Sequence, residues 1–383
     1  MKILQVIHSA NPAGGGPIES AQQIGMILQG LGHMVEVASL DSPGAPWVSK
    51  FPLKLNMLGP SYSKYGYSPR FVPWLIANSK KYDAVVVRGV WQYSSFGVWR
   101  ALHKTGTPYF VYPHGMLDPW FKYKYPLKHL RKILYWFWGE YRVLRDAKAV
   151  LFTSEQERIL ANKSFRPYKC NEVVVKYGTA LPPQDQDAKR AIFFKEFPDL
   201  ADKRIFLFLG RIHPKKGCDL LIKAFAQIAR EDSSLHLVIA GPDQIGWQKK
   251  LQRLCEKLGV SDKVSWPAML SGDLKWGAFY AAEAFILPSH QENFGIAVAE
   301  ALGCGVPVLI TNKVNIWREI EADGAGLVAN DNLEGIIILL KGWLALQQSK
   351  RQDMQKKSKS CFIERFEIHK TAQSLVEMLR AMG

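Results

Sequence analysis

The sequence predicts an α/β protein built as two parallel-sheet domains, and three observations predict it. Short β-branched runs alternate with helical patterns over almost the whole chain, as strands buried between helix layers do. The chain has 383 residues, more than the roughly 250 that one hydrophobic core ordinarily fills. Between two sets of strands stands Tyr177-Gly178-Thr179-Ala180-Leu181-Pro182-Pro183-Gln184-Asp185-Gln186-Asp187, with the proline and polar content of a linker.

Taken in order, the first half carries strand patterns at 3–7, 35–40, 84–87, 109–112, 149–152 and 172–175. The second carries them at 205–209, 235–240, 264–266, 284–287 and 306–310. Residues 365–382 read as a closing helix with Ala372, Leu375, Val376 and Leu379 on one face. The domains are therefore set at 1–180 and 181–365, with 366–383 as a C-terminal helix free to pack back on the first. No fixed-period repeat or low-complexity segment is present.

Apolar residues make up 48% of the chain and charged ones 22%, a balance that builds cores and excludes disorder. Cys170, Cys218, Cys255, Cys304 and Cys361 are odd in number, far apart and without a Cys-x-x-Cys pair. That pattern argues against a disulfide framework and a zinc site and fits a reducing cytosol. The opening Met1-Lys2-Ile3-Leu4-Gln5-Val6-Ile7 is too short for a secretory signal core. The apolar run 336–346, interrupted by Lys341 and Gly342, falls far short of a bilayer span. A cytoplasmic protein is expected.

The net charge of +16 is uneven: residues 1–180 carry 23 Lys and Arg against 10 Asp and Glu, a net +13. An anionic partner for this half follows, whether a membrane surface, a diphosphate-bearing lipid or nucleic acid; a basic solvated surface is the plainer reading.

Three segments carry chemistry. Asn11-Pro12-Ala13-Gly14-Gly15-Gly16-Pro17 lies between the first strand and a helix, where glycines expose backbone N–H groups to an anion. It is no dinucleotide fingerprint, because Glu19 stands where the third glycine belongs; a tight turn is the structural alternative. Gly210-Arg211-Ile212-His213-Pro214-Lys215-Lys216-Gly217 follows a strand and precedes a helix. An arginine fork and a lysine point charge there suit two adjacent phosphates, although basic loops are also common on plain surfaces. In Pro288-Ser289-His290-Gln291-Glu292-Asn293-Phe294-Gly295, Glu292 precedes a helix and Glu300 lies within it. These carboxylates suit sugar and ribose hydroxyls, or they cap and decorate a surface helix.

In this order and spacing the segments resemble family four of the retaining glycosyltransferases. The resemblance runs from Gly14, Gly15 and Gly16 through Gly32-His33, His114-Gly115, Gly210-Arg211, Lys216-Gly217 and Gly241 to Gly305-Val306-Pro307-Val308. It includes the seven residues that separate Glu292 from Glu300. It implies the GT-B fold, in which two Rossmann-like parallel-sheet domains face each other across a cleft. It also implies roles. Arg211 and Lys216 hold a diphosphate, Glu292 binds the donor sugar, and Glu300 the ribose. His114 lines the sugar pocket from the opposite domain, although Pro113-His114-Gly115 also reads as a polar turn. Gly15, Gly16, Gly210, Gly241, Met269, Asn293, Phe294 and Gly295 complete the donor site. Configuration is retained without metal or other cofactor, the leaving phosphate oxygen taking the acceptor proton while cations and helix N-termini stabilise the diphosphate.

Within the family, Pro113-His114-Gly115-Met116-Leu117-Asp118-Pro119-Trp120 is similar to bacterial exopolysaccharide enzymes and to the cyanobacterial heterocyst-envelope polysaccharide glycosyltransferases. UDP-glucose is accordingly the first donor to consider, with a glycan or polyprenyl-diphosphate-linked acceptor. Three positions depart from the family pattern: Tyr177-Gly178 replaces an Asn-Gly, Arg88-Gly89-Val90-Trp91 replaces a histidine, and Pro267 stands at a glycine position.

Two decoys are set aside. Asp185-Gln186-Asp187 imitates an Asp-x-Asp metal motif but follows Pro182-Pro183 in a linker and reads as solvated. Glu292 and Glu300 do not flank a single bond as a glycosidase pair must. The stretch 120–145 interleaves Trp120, Phe121, Tyr123, Trp136, Phe137 and Trp138 with Lys122, Lys124, Lys128, Arg131, Lys132, Arg142 and Arg145. It fits peripheral attachment to an anionic inner membrane face, or a core-facing helix with a basic outer face. The rival functions are a sugar-nucleotide epimerase of the same fold and a basic nucleic-acid-binding protein; no nucleic-acid motif supports the latter.

Overall fold

Runs of Val, Ile and Leu with apolar side chains on both faces can be buried only inside a sheet covered on both sides, which is the situation of parallel strands. The strand Ala84-Val85-Val86-Val87-Arg88 is buried at every position. The computed structural model describes residues 1–383, the side chain of Ala13 apart, in two units. One comprises Met1–Ala180 and Glu367–Gly383, the other Leu181–Phe366.

The first unit contains β1 (Lys2–Val6), β2 (Met34–Ser39), β3 (Lys54–Met57), β4 (Ala84–Arg88), β5 (Tyr109–Tyr112), β6 (Ala149–Phe152) and β7 (Glu172–Val174). Its helices are α1 (Gly16–Gly30), α2 (Phe71–Asn78), α3 (Tyr93–Leu102), α4 (Trp120–Lys124), α5 (Pro126–Trp138), α6 (Glu140–Arg145) and α7 (Glu155–Ala161). The sheet order is β3-β2-β1-β4-β5-β6-β7, and its pairings are parallel, with Ile3 opposite both Val35 and Ala84. The order turns back between β1 and β4.

The second unit contains β8 (Arg204–Leu209), β9 (Leu235–Ala240), β10 (Val264–Ser265), β11 (Ala282–Leu287), β12 (Val308–Thr311) and β13 (Gly326–Ala329). Its helices are α8 (Gln186–Glu196), α9 (Cys218–Ile228), α10 (Gln248–Leu258), α11 (Gly272–Ala281), α12 (Ile296–Gly303), α13 (Trp317–Asp323), α14 (Leu333–Ala345) and α15 (Gln348–Cys361). The order is β10-β9-β8-β11-β12-β13, again parallel, and it turns back between β8 and β11. α9 shows why the layers adhere: Cys218, Leu221, Ile222, Phe225 and Ile228, three and four apart, all face inward.

The last helix, α16 (Ile368–Met382), belongs to the first unit and packs on α1. Its buried side includes Ile368, Ala372, Leu375, Val376 and Leu379.

Several boundaries correct the sequence reading. The span 365–382 is not one helix: a π-helical turn, Phe362–Phe366, precedes Glu367, which adopts extended backbone and caps α16 through its carboxylate. The stretch 177–187 is not all linker, since α8 begins at Gln186 and the Asp185 carboxylate pairs with Lys189 at 3.0 Å. Strands β3 and β13 were absent from the sequence reading. Residues 336–346 fall largely in α14, which packs on α9; among the described residues no helix is long and apolar enough to cross a membrane.

Candidate active site

Where strand order turns back, the loops leaving the two neighbouring carboxyl ends run in opposite directions and leave a crevice, the usual ligand position in parallel sheets. In the second unit this point lies between β8 and β11. The β8 loop carries Gly210 to Gly217 and the β11 loop carries Pro288 to Gly295. A backbone bond locks the two together, His290 N–H donating to the Lys215 carbonyl at 2.8 Å, and Glu292 N–H donates at 2.9 Å to the Lys313 carbonyl in the loop that leaves β12. The Lys216 ammonium thereby meets the Glu292 carboxylate in a salt bridge.

Gly217 makes the approach possible. Its φ of +69° suits glycine, and a Cβ there would lie 2.1 Å from the Pro288 carbonyl oxygen. Gly241 serves the same end at the tips of β8 and β9, where a Cβ would fall 1.9 Å from the Gly210 carbonyl oxygen.

Burial, then the neighbouring Lys215 and Arg211 charges, push the Lys216 ammonium below the ordinary lysine range. The Glu292 carboxylate faces this ammonium. Arg211 is exposed beside it. The loop thus gathers positive charge with one carboxylate to orient it.

The other second-unit candidates occupy distinct positions. Gly295, with φ +78°, is the N-cap of α12. Asn293 Oδ1 accepts from Asn315 Nδ2 at 3.4 Å. Phe294 is buried, edge-on to Phe366 at 5.5 Å, so its ring serves packing. Glu300 is buried in α12, and its Oε1 accepts from Lys275 Nζ at 2.8 Å. Met269 is 69% exposed, beside Ala268, which holds a left-handed φ of 55°.

In the first unit the order turns back between β1 and β4. The β1 loop passes through a 3-10 turn, Pro12–Gly14, and then Gly15 at φ +76° before α1 opens at Gly16. Proline in the first turn suits a helix start, where the missing N–H costs nothing. Asp41 fixes the preceding loop by accepting from Ser9 Oγ at 2.6 Å and Ala10 N–H at 2.7 Å.

At the end of β4, Arg88 is buried, with Nε and Nη2 donating to Gln5 Oε1 at 3.1 and 2.8 Å. Gln5 Nε2 in turn donates to the Ala21 carbonyl of α1 at 2.9 Å. The guanidinium lies 4.6 Å from the Tyr112 ring centroid. Tyr112 stacks on the His114 imidazole at 5.3 Å and 12°. Desolvation, followed by the Arg88 charge, holds His114 down to about 3, so the imidazole stays neutral. Its Nε2 is buried with no hydrogen-bond partner among the described residues. The turn is held by Glu157, which accepts from Gly115 N–H at 2.6 Å and from Thr153 N–H at 2.8 Å.

The structure therefore brings together Lys216 with Glu292, and Gly210 with Gly241. It adds Lys275, Arg88 and Glu157, which the sequence reading left without a role. Glu157 was detectable, because Ser154-x-x-Glu157 has capping-box spacing and Ser154 Oγ accepts from Glu157 N–H at 3.1 Å. Lys275 has no such signal.

Comparison with known proteins bears on the family and the fold. The profile of glycosyl transferases group 1 matches residues 189–380, and that of a glycosyl transferase 4-like domain matches residues 15–178. D-inositol 3-phosphate glycosyltransferase of Mycolicibacterium smegmatis is 31% identical over 176 residues, 45% of this chain and 39% of that protein. The enzyme of the same name from Thermomonospora curvata is 37% identical over 137 residues, 34% of this chain and 32% of that protein. The chain thus spans well under half the length of these curated relatives. Among solved structures, Anabaena HepE in complex with UDP and glucose superposes with a TM-score of 0.77 over 100% of both chains at 17% identity. Sucrose-phosphate synthase from Thermosynechococcus elongatus gives 0.79 over 100% of this chain and 98% of its own at 19% identity. These likenesses establish the GT-B fold. With one profile spanning half the chain and a second covering most of the rest, this protein belongs to the group 1 glycosyl transferases.

Proposed function

We propose that this glycosyltransferase moves a hexose from a nucleotide-diphosphate sugar, UDP-glucose first among the candidates, to a glycan or polyprenyl-diphosphate-linked acceptor in exopolysaccharide synthesis. The carrying observation is the Lys216–Glu292 salt bridge at the turning point of the second sheet, with Arg211 exposed beside it. Breaking a sugar–phosphate bond places negative charge on the diphosphate, and fixed cations at that point lower the barrier. In this reading Lys216 and Arg211 take the diphosphate without a metal ion, and Glu292 orients Lys216 while accepting from sugar hydroxyls. Glu300 accepts from the ribose. Neutral His114 contacts the sugar, which departs with retention as the phosphate oxygen takes the acceptor proton. The UDP and glucose named in the HepE complex support the choice of donor.

The test is a panel of UDP-, GDP- and ADP-sugars, screened by thermal stabilisation and then by release of nucleoside diphosphate with and without acceptor. Release should require acceptor, withstand chelator, and fall by on the order of 10²–10³ in Arg211→Ala or Lys216→Ala. Wild-type turnover in either variant would sink the assignment.

A further inference from the structure

Helix α5 has two apolar faces, and the fold uses one. At 3.6 residues per turn, His129, Ile133 and Trp136 share an arc, and this arc is buried or half-buried. Leu127, Leu130, Leu134, Phe137 and Trp138 share a second arc, roughly 100° wide and about 120° away from the first. These five stand 79, 58, 68, 49 and 71% exposed. Soluble surfaces scatter large apolar side chains singly; a continuous stripe marks a contact.

The chemistry around the stripe identifies what it contacts. Residues 119–139 include five cations, Lys122, Lys124, Lys128, Arg131 and Lys132, and no Asp or Glu. Lys132 turns inward, 4.3 Å from the Trp91 ring centroid. The other four are exposed. No carboxylate of the segment neutralises them, and residues 1–180 are already at +13 from 23 cations against 10 anions. A second copy docking stripe to stripe would set the same cations face to face. A surface that is apolar beneath and anionic at its rim satisfies both features, because lysine and arginine stems lie along the apolar layer while their heads reach outward.

We propose that α5 lies along an anionic lipid bilayer, with Leu127, Leu130, Leu134 and Trp138 in the boundary between headgroups and acyl chains and Lys122, Lys124, Lys128 and Arg131 against the lipid phosphates. The geometry is that of an interfacial helix rather than a spanning one. This contact is independent of which sugar the protein transfers.

Co-sedimentation of the full chain with vesicles tests it. Binding is expected to phosphatidylglycerol-rich vesicles at low salt and to be weak on phosphatidylcholine alone. Leu130→Ser with Leu134→Ser should lower the partition coefficient on the order of tenfold or more, since two leucines no longer leave water. Lys128→Gln with Arg131→Gln should lower it separately and flatten the salt dependence. Circular dichroism checks that the helix persists in both. The proposal is overturned by wild-type chain remaining in the supernatant. Equal binding to neutral and anionic vesicles overturns it too. So does anionic binding that the leucine pair leaves unchanged, or a wild-type oligomer that this pair dissolves without vesicle binding.

Discussion

His114 concentrates the most consequence in a single side chain. Folded, it titrates at about 3 instead of 6.5, first from desolvation and then from Arg88. As pH falls below 6.5, the unfolded chain takes up a proton that the folded imidazole refuses. Stability from this site is therefore complete above 6.5 and is lost as pH falls towards about 3, by at most ~1.4 kcal/mol per pH unit. Urea unfolding across that interval should show a shallower loss for His114→Gln than for wild type; identical slopes would mean that the folded imidazole protonates. Arg88→Met should raise the imidazole titration followed by NMR, and an unmoved titration would remove Arg88 from the account. Little of this was legible beforehand. Arg88 stood out only as a departure from a family pattern, because the stack through Tyr112 joins residues from different strands. Lys216 and Glu292 were each readable as motif members, but their pairing, 76 positions apart, depends on the bond from His290 to Lys215. Lys275 lies on a different helix from Glu300 and carries no local signature.

Loops and caps decide whether these side chains arrive. Gly217→Ala would drive a methyl to 2.1 Å from the Pro288 carbonyl at a left-handed φ. The expected cost is about 1–3 kcal/mol, with weakened nucleotide-induced stabilisation as Lys216 is displaced. Melting temperature with and without UDP measures both, and unchanged values would refute the close-packing account. Ser154→Ala removes the cap of α7 and should cost roughly 1 kcal/mol. The strands were the most legible elements, since central ones such as β4 are apolar on both faces. β3 was missed because Lys54-Leu55-Asn56-Met57 is an edge strand with no fully buried position. β13 was missed because Gly326-Leu327-Val328-Ala329 is short and glycine-led. The amphipathicity of α16 was readable, but a stripe of Ala372, Leu375, Val376 and Leu379 does not say which surface it covers.

That surface is α1, which opens at the glycine loop of the first unit. Removing residues 367–383 should expose the α1 face and lower the melting of the first unit while the second unit unfolds as before. Calorimetry would then show two separated transitions, and a single shift shared by both units would contradict the division into units. At this scale the sequence predicted well: two parallel sheets follow from chain length and strand alternation. The path of the chain between them does not, because connectivity leaves no compositional trace. The first unit is interrupted, with the whole second unit, Leu181–Phe366, inserted before its closing helix. During synthesis the unit begun earlier is therefore completed after the unit begun later. The second sheet is contiguous and has all its strands as soon as it has left the ribosome, while the glycine-loop helix waits with an uncovered apolar side for α16 to arrive.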